Sequence, residues 1–185
     1  MRIISGSLKG RKIMAPGNLP VRPTTDVSKE ALFNILDNTY ELEGLRILDV
    51  FSGTGNISLE FISRGAIEVI SIDANYNCIS FQKKIVKELN INNLNSFKID
   101  AFKGIEKVKG TFDIVFADPP YDFPKTNLLP EFILGKNLVN PNGVLIIEHG
   151  RDTIFNTIKP NETRSYGKVN FSFFKVLSQY RPKRF

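Results

Sequence analysis

The chain has 185 residues, 42% of them hydrophobic, with one cysteine and one histidine. This length predicts a single domain with its own core, and the lone Cys78 and His149 exclude an intrachain disulfide, a multi-cysteine zinc site and a multi-histidine metal centre. No apolar run reaches the roughly 20 residues of a membrane span, and the start of the chain lacks the apolar core of a signal peptide. We therefore expect a soluble cytoplasmic protein that uses neither a metal ion nor a membrane, and we separately expect a monomer.

The net charge of +6 has two interpretations. It can reflect a lysine-rich composition alone, or it can mark a face that binds an anionic partner, in particular nucleic acid. Basic side chains are concentrated at both ends of the chain, and the first 22 residues contain no acid. They are Arg2, Lys9, Arg11, Lys12 and Arg22 at the start and Arg181, Lys183 and Arg184 at the end. This distribution favours a nucleic-acid-binding face.

Residues 1–40 are predicted to form an extension made of a basic hairpin and one helix. Within residues 1–22, a Gly-Ser-Leu-Lys-Gly turn separates an apolar start from the return segment Arg11–Met14. Asp26 can cap a helix whose apolar side chains recur with helical spacing. We expect this extension to bind nucleic acid without being an independent domain.

Strands and helices alternate through residues 41–185, which predict the main domain. The predicted strands are Leu45–Phe51, Ile67–Ile72, Ser96–Ile99, Phe112–Ala117 and Val144–Glu148, followed by a pair at about Thr163–Gly167 and Asn170–Leu177. The predicted helices lie near Ile57–Arg64, Asn77–Leu89, Phe102–Val108, Leu128–Leu134 and Thr153–Ile158. This alternation indicates an α/β fold, with a mostly parallel sheet covered on both faces and an antiparallel strand at its C-terminal end. Such sheets bind ligands at the carboxyl ends of their strands.

The end of the first predicted strand and the turn after it combine glycines with polar side chains. The residues are Asp49, Phe51, Ser52, Gly53, Thr54 and Gly55. The two glycines let the backbone approach a ligand closely, although an ordinary tight turn would use them equally well. Ser58 stands where the dinucleotide-binding fingerprint has its last glycine, which weakens a dinucleotide interpretation without removing it.

Acidic residues end the second and third predicted strands. Asp73 lies 20 residues beyond Gly53, where an acid accepts hydrogen bonds from ribose hydroxyls. Asp100 could accept from an adenine amino group, with the N–H of Ala101 beside it and Phe102 flanking the ring. A helix cap is the alternative role for both acids. Together they predict a ligand that contains adenosine, and the chain has no Gly-Lys-Ser/Thr loop for a triphosphate.

The most specific motif follows the fourth predicted strand and reads Asp118-Pro119-Pro120-Tyr121. The two prolines stiffen the turn and fix its carbonyl groups. The Asp118 carboxylate and the Pro119 carbonyl can then both accept hydrogen bonds from one exocyclic amino group of a base. These two bonds draw the amino nitrogen towards tetrahedral geometry and make its lone pair nucleophilic. Tyr121 offers a face on which a base can stack, and a rigid loop with a surface tyrosine is the alternative.

Residues Asp49–Gly55 and Asp118–Tyr121 resemble the motifs of class I S-adenosyl-L-methionine-dependent amino-methyltransferases. N-terminal residues narrow the resemblance to the RsmD family of bacterial 16S rRNA guanine-N2 methyltransferases. The further segments that carry it, over nearly the whole chain, are Met1–Ile4, Lys9–Arg11, Arg22–Thr24, Ala31–Asn34 and Ser63–Ala66. The family has basic residues at the positions of both Val27 and Lys29, so Val27 leaves one fewer cationic contact to RNA.

The resemblance implies a Rossmann-like methyltransferase fold with a seven-stranded sheet in residues 41–185. It implies methyl transfer from S-adenosyl-L-methionine to the N2 amine of a guanine, in a hairpin loop of small-subunit rRNA within an assembling or assembled 30S particle. The implied cofactor-binding residues are those of the Asp49–Gly55 segment named above together with Asp73, Asp100, Ala101, Phe102 and Asp118. The implied catalytic residues are Asp118, Pro119, Pro120 and Tyr121. The implied RNA-binding residues are Arg2, Lys9, Arg11, Lys12, Arg22 and Thr24.

Three other functions stay open at this point. An adenine-N6 methyltransferase of DNA or RNA shares the Asp118–Tyr121 chemistry, although only residues 1–40 lie outside the core to read a DNA sequence. A non-enzymatic nucleic-acid-binding module would be expected to lose Asp118 or the glycine turn. An NAD-dependent oxidoreductase is disfavoured by Ser58. We expect His149 to be a structural or site-rim residue.

Overall fold

The computed structural model describes residues 1–17, 19 and 26–177, and these contain one seven-stranded sheet with α-helices on both faces. The strands are β1 Arg46–Val50, β2 Glu68–Asp73, β3 Leu94–Lys98, β4 Phe112–Ala117, β5 Val139–His149, β6 Glu162–Tyr166 and β7 Val169–Lys175. The α-helices are α1 Asp26–Asp37, α2 Asn56–Ser63, α3 Tyr76–Glu88, α4 Ala101–Lys107 and α5 Leu129–Gly135. None of the helices described is long and apolar enough to cross a membrane.

The strand order β3-β2-β1-β4-β5-β7-β6 confirms the predicted fold. Strands β1 to β5 run parallel, while β7 lies antiparallel between β5 and β6. Buried side chains of α1, α2 and α3 pack on one face of the sheet, and those of α4 and α5 pack on the other. The order of connections reverses between β1 and β4, so a ligand cleft is expected where the carboxyl ends of these two strands meet.

The start of the chain forms the predicted hairpin, but with a single β-bridge in place of paired strands. Arg2 and Lys12 make a single antiparallel bridge. The Ile3 N–H donates to the Arg11 carbonyl at 3.0 Å, and the Ile13 N–H donates to the Met1 carbonyl at 2.9 Å. Ile3 and Ile13 are buried in the same core as α1 and α2. The hairpin is therefore held on the sheet-covering helices by its apolar side chains, which leaves its basic side chains exposed.

Two predicted elements differ from the structure. Strand β5 begins at Val139 and not at the predicted Val144, because a register shift against β4, between Phe112 and Ile114, accommodates the Pro-Asn-Gly sequence within the strand. The predicted helix Thr153–Ile158 is wrong, since this segment has no helical turn. Its β-branched residues disfavour a short helix, and Phe155 is buried against the rings of His149 and Phe174.

Candidate active site

The turn between β1 and α2, which we call the glycine loop (residues 51–55), has a backbone that few side chains tolerate. Phe51, Gly53 and Gly55 have φ angles of 64°, 52° and 79°. Glycine adopts this left-handed region without the steric penalty of a Cβ atom. At Gly55 a Cβ would also lie in tight contact with the Gln82 side chain, at 3.0 Å, so the φ angle favours glycine and the space around it is small. The loop backbone can therefore approach a ligand closely at Gly53 and Gly55.

Gln82 of α3 holds the glycine loop and was not found by the sequence analysis. Its amide nitrogen donates to the Gly53 carbonyl at 2.8 Å and to the Ser52 hydroxyl at 2.9 Å. Its amide oxygen accepts from the hydroxyls of Ser71 and Ser96, each at 2.7 Å. Because a carbonyl can only accept, the amide atom that contacts the Gly53 carbonyl must be the Gln82 nitrogen and not its oxygen. The side chain is 1% exposed, so the loop is tied to β2 and β3 through a fully bonded buried group.

Asp73, at the end of β2, lies beside the glycine loop as predicted. One carboxylate oxygen accepts from the Gly53 N–H at 2.8 Å, and the other accepts from the Asn75 N–H at 2.7 Å. The helix-cap role belongs to Asn75, whose side chain accepts from two N–H groups of the first turn of α3. An ionised carboxylate has about four acceptor positions, so these bonds leave capacity for ribose hydroxyls.

Asp100 takes the helix-cap role at α4, where its carboxylate accepts from the Lys103 N–H at 3.3 Å. The next residue, Ala101, is buried. Phe102 stacks on Phe123 at 6.1 Å, and Phe123 makes an edge contact with Phe51 of the glycine loop at 5.1 Å. Three aromatic rings therefore line the carboxyl ends of β1, β3 and β4. Phe123 was missed by the sequence analysis, although it lies two residues beyond the Asp-Pro-Pro-Tyr motif.

Asp49 is buried behind the glycine loop rather than on its surface, with 1% exposure. The Ser58 hydroxyl donates to its carboxylate. Burial raises the pKa of Asp49 to about 7, with added repulsion from Asp118 and Asp73, while the Ser58 bond opposes the rise. Ser58, which stands in place of the last glycine of a dinucleotide fingerprint, therefore joins α2 to β1. Three carboxyl groups converge where β1, β2 and β4 end.

The Asp118–Tyr121 motif lies beside β1, since the Asp118 N–H donates to the Val50 carbonyl at 3.3 Å. Pro119 is buried and Pro120 is exposed. Tyr121 is 72% exposed, so its ring is accessible for stacking. The ring lies against Gly150, where a Cβ would be 2.9 Å from three of its atoms. The motif thus forms one wall of the cleft, supported by the end of β5.

His149 is a structural residue of this wall. Its Nδ1 lies 2.8 Å from the Gly150 carbonyl and must therefore donate, so Nε2 accepts from the Ser172 hydroxyl at 2.8 Å. Burial lowers the pKa of His149, while the Gly150 bond opposes this. The neutral ring thus ties β5 to β7.

The predicted RNA-binding residues fall into two groups. Lys9, Arg11 and Lys12 are exposed on the hairpin, as is Arg2, which pairs with Glu30 of α1 at 2.9 Å. Arg22 and Thr24 lie outside the described residues. Lys29, at the second of the two positions that are basic in the family, is fully buried. This lysine is therefore not available for a contact to RNA.

Comparisons with known proteins agree with this architecture. A family model described as "Conserved hypothetical protein 95" matches residues 1–175. Ribosomal RNA small subunit methyltransferase D of Buchnera aphidicola subsp. Baizongia pistaciae is 30% identical over 188 residues, which cover 97% of this chain and 94% of that protein. The protein of the same name from Escherichia coli K12 is 33% identical over 148 residues, or 80% of this chain and 71% of that protein.

Solved structures share the fold across nearly the whole chain. The Escherichia coli protein yhhF superposes with a TM-score of 0.84 at 24% identity, covering 97% of this chain and 99% of that one. An RNA methyltransferase from Salinibacter ruber, solved with S-adenosyl-L-homocysteine, gives a TM-score of 0.66 at 15% identity, covering 88% of this chain and 98% of that one. The fold is that of the class I methyltransferases, and the chain belongs to the RsmD family.

Proposed function

We propose that this protein transfers a methyl group from S-adenosyl-L-methionine to the N2 amine of a guanine in a hairpin loop of small-subunit (16S) rRNA. Its membership of the RsmD family supports methylation of rRNA with this cofactor. The observation that supports an amino group as the methyl acceptor is the placement of the Asp118–Tyr121 motif directly beside the glycine loop, at the reversal between β1 and β4, and the choice of guanine N2 over adenine N6 rests on the family resemblance. This arrangement suits an amino group as the methyl acceptor.

The residues at the carboxyl ends of β1, β2 and β4 suit S-adenosyl-L-methionine in their chemistry and charge. The glycine loop allows close approach of a ligand, and carboxyl groups of Asp49, Asp73 and Asp118 converge beside it. Their mutual repulsion would be relieved by a cation such as a sulfonium. Asp73 would accept from the ribose hydroxyls, while Asp100, Ala101 and the ring of Phe102 would hold the adenine. When bound, the cofactor supplies a methyl group on a sulfur that departs as a neutral thioether.

The motif after β4 would prepare the guanine for this transfer. The Asp118 carboxylate and the Pro119 carbonyl accept hydrogen bonds from the N2 amine, which draws its lone pair out of conjugation with the ring. Tyr121 stacks on the base, a contact worth about 1–3 kcal/mol. The nitrogen then gains the methyl group and loses a proton. Because the reaction needs only correct placement of donor and acceptor, positioning supplies most of the rate.

Residues 1–40 would act as an RNA-binding extension of the methyltransferase domain formed by residues 41–185. Arg2, Lys9, Arg11 and Lys12 of the hairpin, with Arg22 and Thr24 beyond it, would contact the rRNA backbone. Such a small extension can read few bases directly, and sequence-specific RNA recognition favours presented loops. We therefore place the reaction on an assembling or assembled 30S particle in the cytoplasm, with a monomer as the enzyme.

Mapping of the methylated nucleoside tests this assignment. Small-subunit particles, protein-free rRNA and duplex DNA are each incubated with labelled S-adenosyl-L-methionine and digested to nucleosides for mass spectrometry. We expect N2-methylguanosine at one loop position, a faster reaction on particles than on free rRNA, and negligible labelling of DNA. N6-methyladenosine would favour the adenine-N6 alternative and refute the base assignment. Equal rates on free rRNA and particles would refute the assembly argument alone.

A further inference from the structure

A groove of about 630 Å³ separates the return segment of the hairpin from α3. Arg11, Lys12 and Met14 form one wall, and Lys84, Ile85 and Glu88 form part of the other. The α3 residues of this wall follow Gln82 towards the end of the helix, so the groove leads away from the glycine loop along the same face of the sheet. It is separate from the cleft that holds the proposed acceptor and cofactor residues.

The groove combines a cationic rim with an apolar floor formed by Ile13, Phe81 and Leu89. Arg11, Lys12 and Lys84 are exposed at the rim, where Glu88 is the single acid among the lining residues. Lys84 and Glu88 form an exposed pair at 3.7 Å. Such pairs contribute little free energy, so the ammonium group can exchange this partner for another anion. Met14 is 84% exposed beside the floor, which gives the groove an apolar surface next to its charges.

We propose that this groove binds a single-stranded segment of the substrate RNA that flanks the target nucleotide. Phosphates would contact Arg11 and Lys12 on one side and Lys84 on the other, while a base or ribose would lie on the apolar floor beside Met14. Cations on both walls suit RNA, which carries one negative charge per nucleotide. Protein grooves that bind single-stranded nucleic acid combine such a cationic rim with a surface on which the bases stack. The proposal rests on the proposed function and extends the RNA-binding surface beyond the hairpin to α3.

The test compares single-residue variants by their affinity for a labelled rRNA fragment over a range of salt concentrations. Lys84→Ala should weaken binding about fivefold at 0.1 M salt and lower the slope of log affinity against log salt by about 0.7, the value for one contact to single-stranded RNA. Glu88→Gln should strengthen binding, because it removes an acid from the groove. Lys168→Ala is the matched control, since this exposed lysine lies in the β6–β7 turn at the far edge of the sheet.

RNA binding in the groove would be refuted if Lys84→Ala and Lys168→Ala gave the same slope of log affinity against log salt. It would also be refuted if Glu88→Gln left the RNA affinity unchanged. A photoreactive amino acid in place of Met14 should crosslink to rRNA in small-subunit particles, and crosslinking to a ribosomal protein instead would also refute it. Product analysis of the unmodified protein keeps the proposed function separate. If that protein forms N2-methylguanosine while the groove variants behave like the control, only this inference fails.

Discussion

The ammonium group of Lys29 lies 3.1 Å from the carboxylate of Glu60, and both side chains are fully buried. Lys29 also donates to the Arg2 carbonyl at 2.5 Å and to the Asn56 side chain at 2.9 Å, so all three of its N–H groups are used. Glu60 accepts from the N–H groups of Ile4 and Ser5. The pair therefore joins the hairpin to α2, the helix that follows the glycine loop.

Removal of this buried cation should destabilise the protein strongly. Lys29→Met leaves the Arg2 carbonyl and the Asn56 side chain without their donor, while Glu60 keeps the Arg64 guanidinium at 3.0 Å, so we expect the free energy of unfolding to fall by about 3 kcal/mol. Arg2→Ala removes an exposed pair with Glu30 and should change it by less than about 1 kcal/mol. Denaturant unfolding of both variants measures the difference. Equal, small effects would show that the buried pair does not hold the hairpin.

Gln82 should act as a positioning residue for the cofactor. Gln82→Glu keeps an oxygen for the Ser71 and Ser96 hydroxyls but sets a carboxylate oxygen against the Gly53 carbonyl, so we expect about tenfold weaker cofactor binding, equivalent to about 1.4 kcal/mol. Protonation of this buried carboxyl restores a donor. The affinity of the variant should therefore recover towards that of the unmodified protein as the pH falls. Calorimetry with S-adenosyl-L-homocysteine measures this.

Ser96→Ala provides the control for Gln82, because it removes a bond on the strand side of the amide and leaves the Gly53 contact in place. Its cofactor affinity should match that of the unmodified protein. If Ser96→Ala and Gln82→Glu lose cofactor affinity equally and without pH dependence, the Gln82 amide stabilises the core as a whole and does not position the glycine loop.

Substitutions at the ends of β2 and β4 should affect cofactor binding and catalysis to different extents. Asp73→Ala removes the proposed ribose contact and the partner of the Gly53 N–H, so it should weaken S-adenosyl-L-methionine binding by about 1.5–3 kcal/mol. Asp118→Ala removes one of the three carboxyl groups near the sulfonium but no ribose contact, so it should weaken this affinity less than Asp73→Ala does and abolish turnover. Calorimetry and single-turnover rates of both variants give the comparison. An equal loss of affinity in the two would contradict this division of roles.

The protonation of Asp49 should make stability depend on pH. The pKa of this carboxyl is about 7 in the folded protein, above the value of about 3.9 for an unfolded chain. Between these values the folded state binds more protons than the unfolded state, so the free energy of unfolding falls as pH rises, by at most about 1.4 kcal/mol per pH unit. Asp49→Asn should flatten the profile in this window.

Ser58→Ala tests the cause of the Asp49 shift, since the Ser58 hydroxyl bond favours the ionised carboxylate. Its loss should raise the Asp49 pKa further and extend the falling part of the profile to higher pH. A profile identical to that of the unmodified protein would mean that this hydroxyl does not stabilise the charge. Unfolding is measured by denaturant titration at each pH.

The sequence was sufficient for features that depend on local pattern. Apolar strands ending in Asp49, Asp73 and Asp118 predicted both the parallel sheet and the edge at which these groups meet. Gln82 left no such signal, because its partners lie 11 to 30 residues away along the chain and an isolated glutamine on a helix is usually exposed. The buried pair of Lys29 and Glu60 left no signal for the same reason, since the position of Lys29 on α1 does not reveal that Glu60 covers it.

The contact between Tyr121 and Gly150 links two segments that no motif connects. Gly150 has an ordinary φ angle, so alanine would fit its backbone, and the obstacle is the tyrosine ring that occupies the space of a Cβ. A related chain with a side chain at this position would need a smaller or displaced group in place of Tyr121. A side chain at Gly150 would displace the exposed Tyr121 ring, so a substitution after β5 is expected to alter the stacking face offered to a base while leaving the Asp-Pro-Pro sequence untouched.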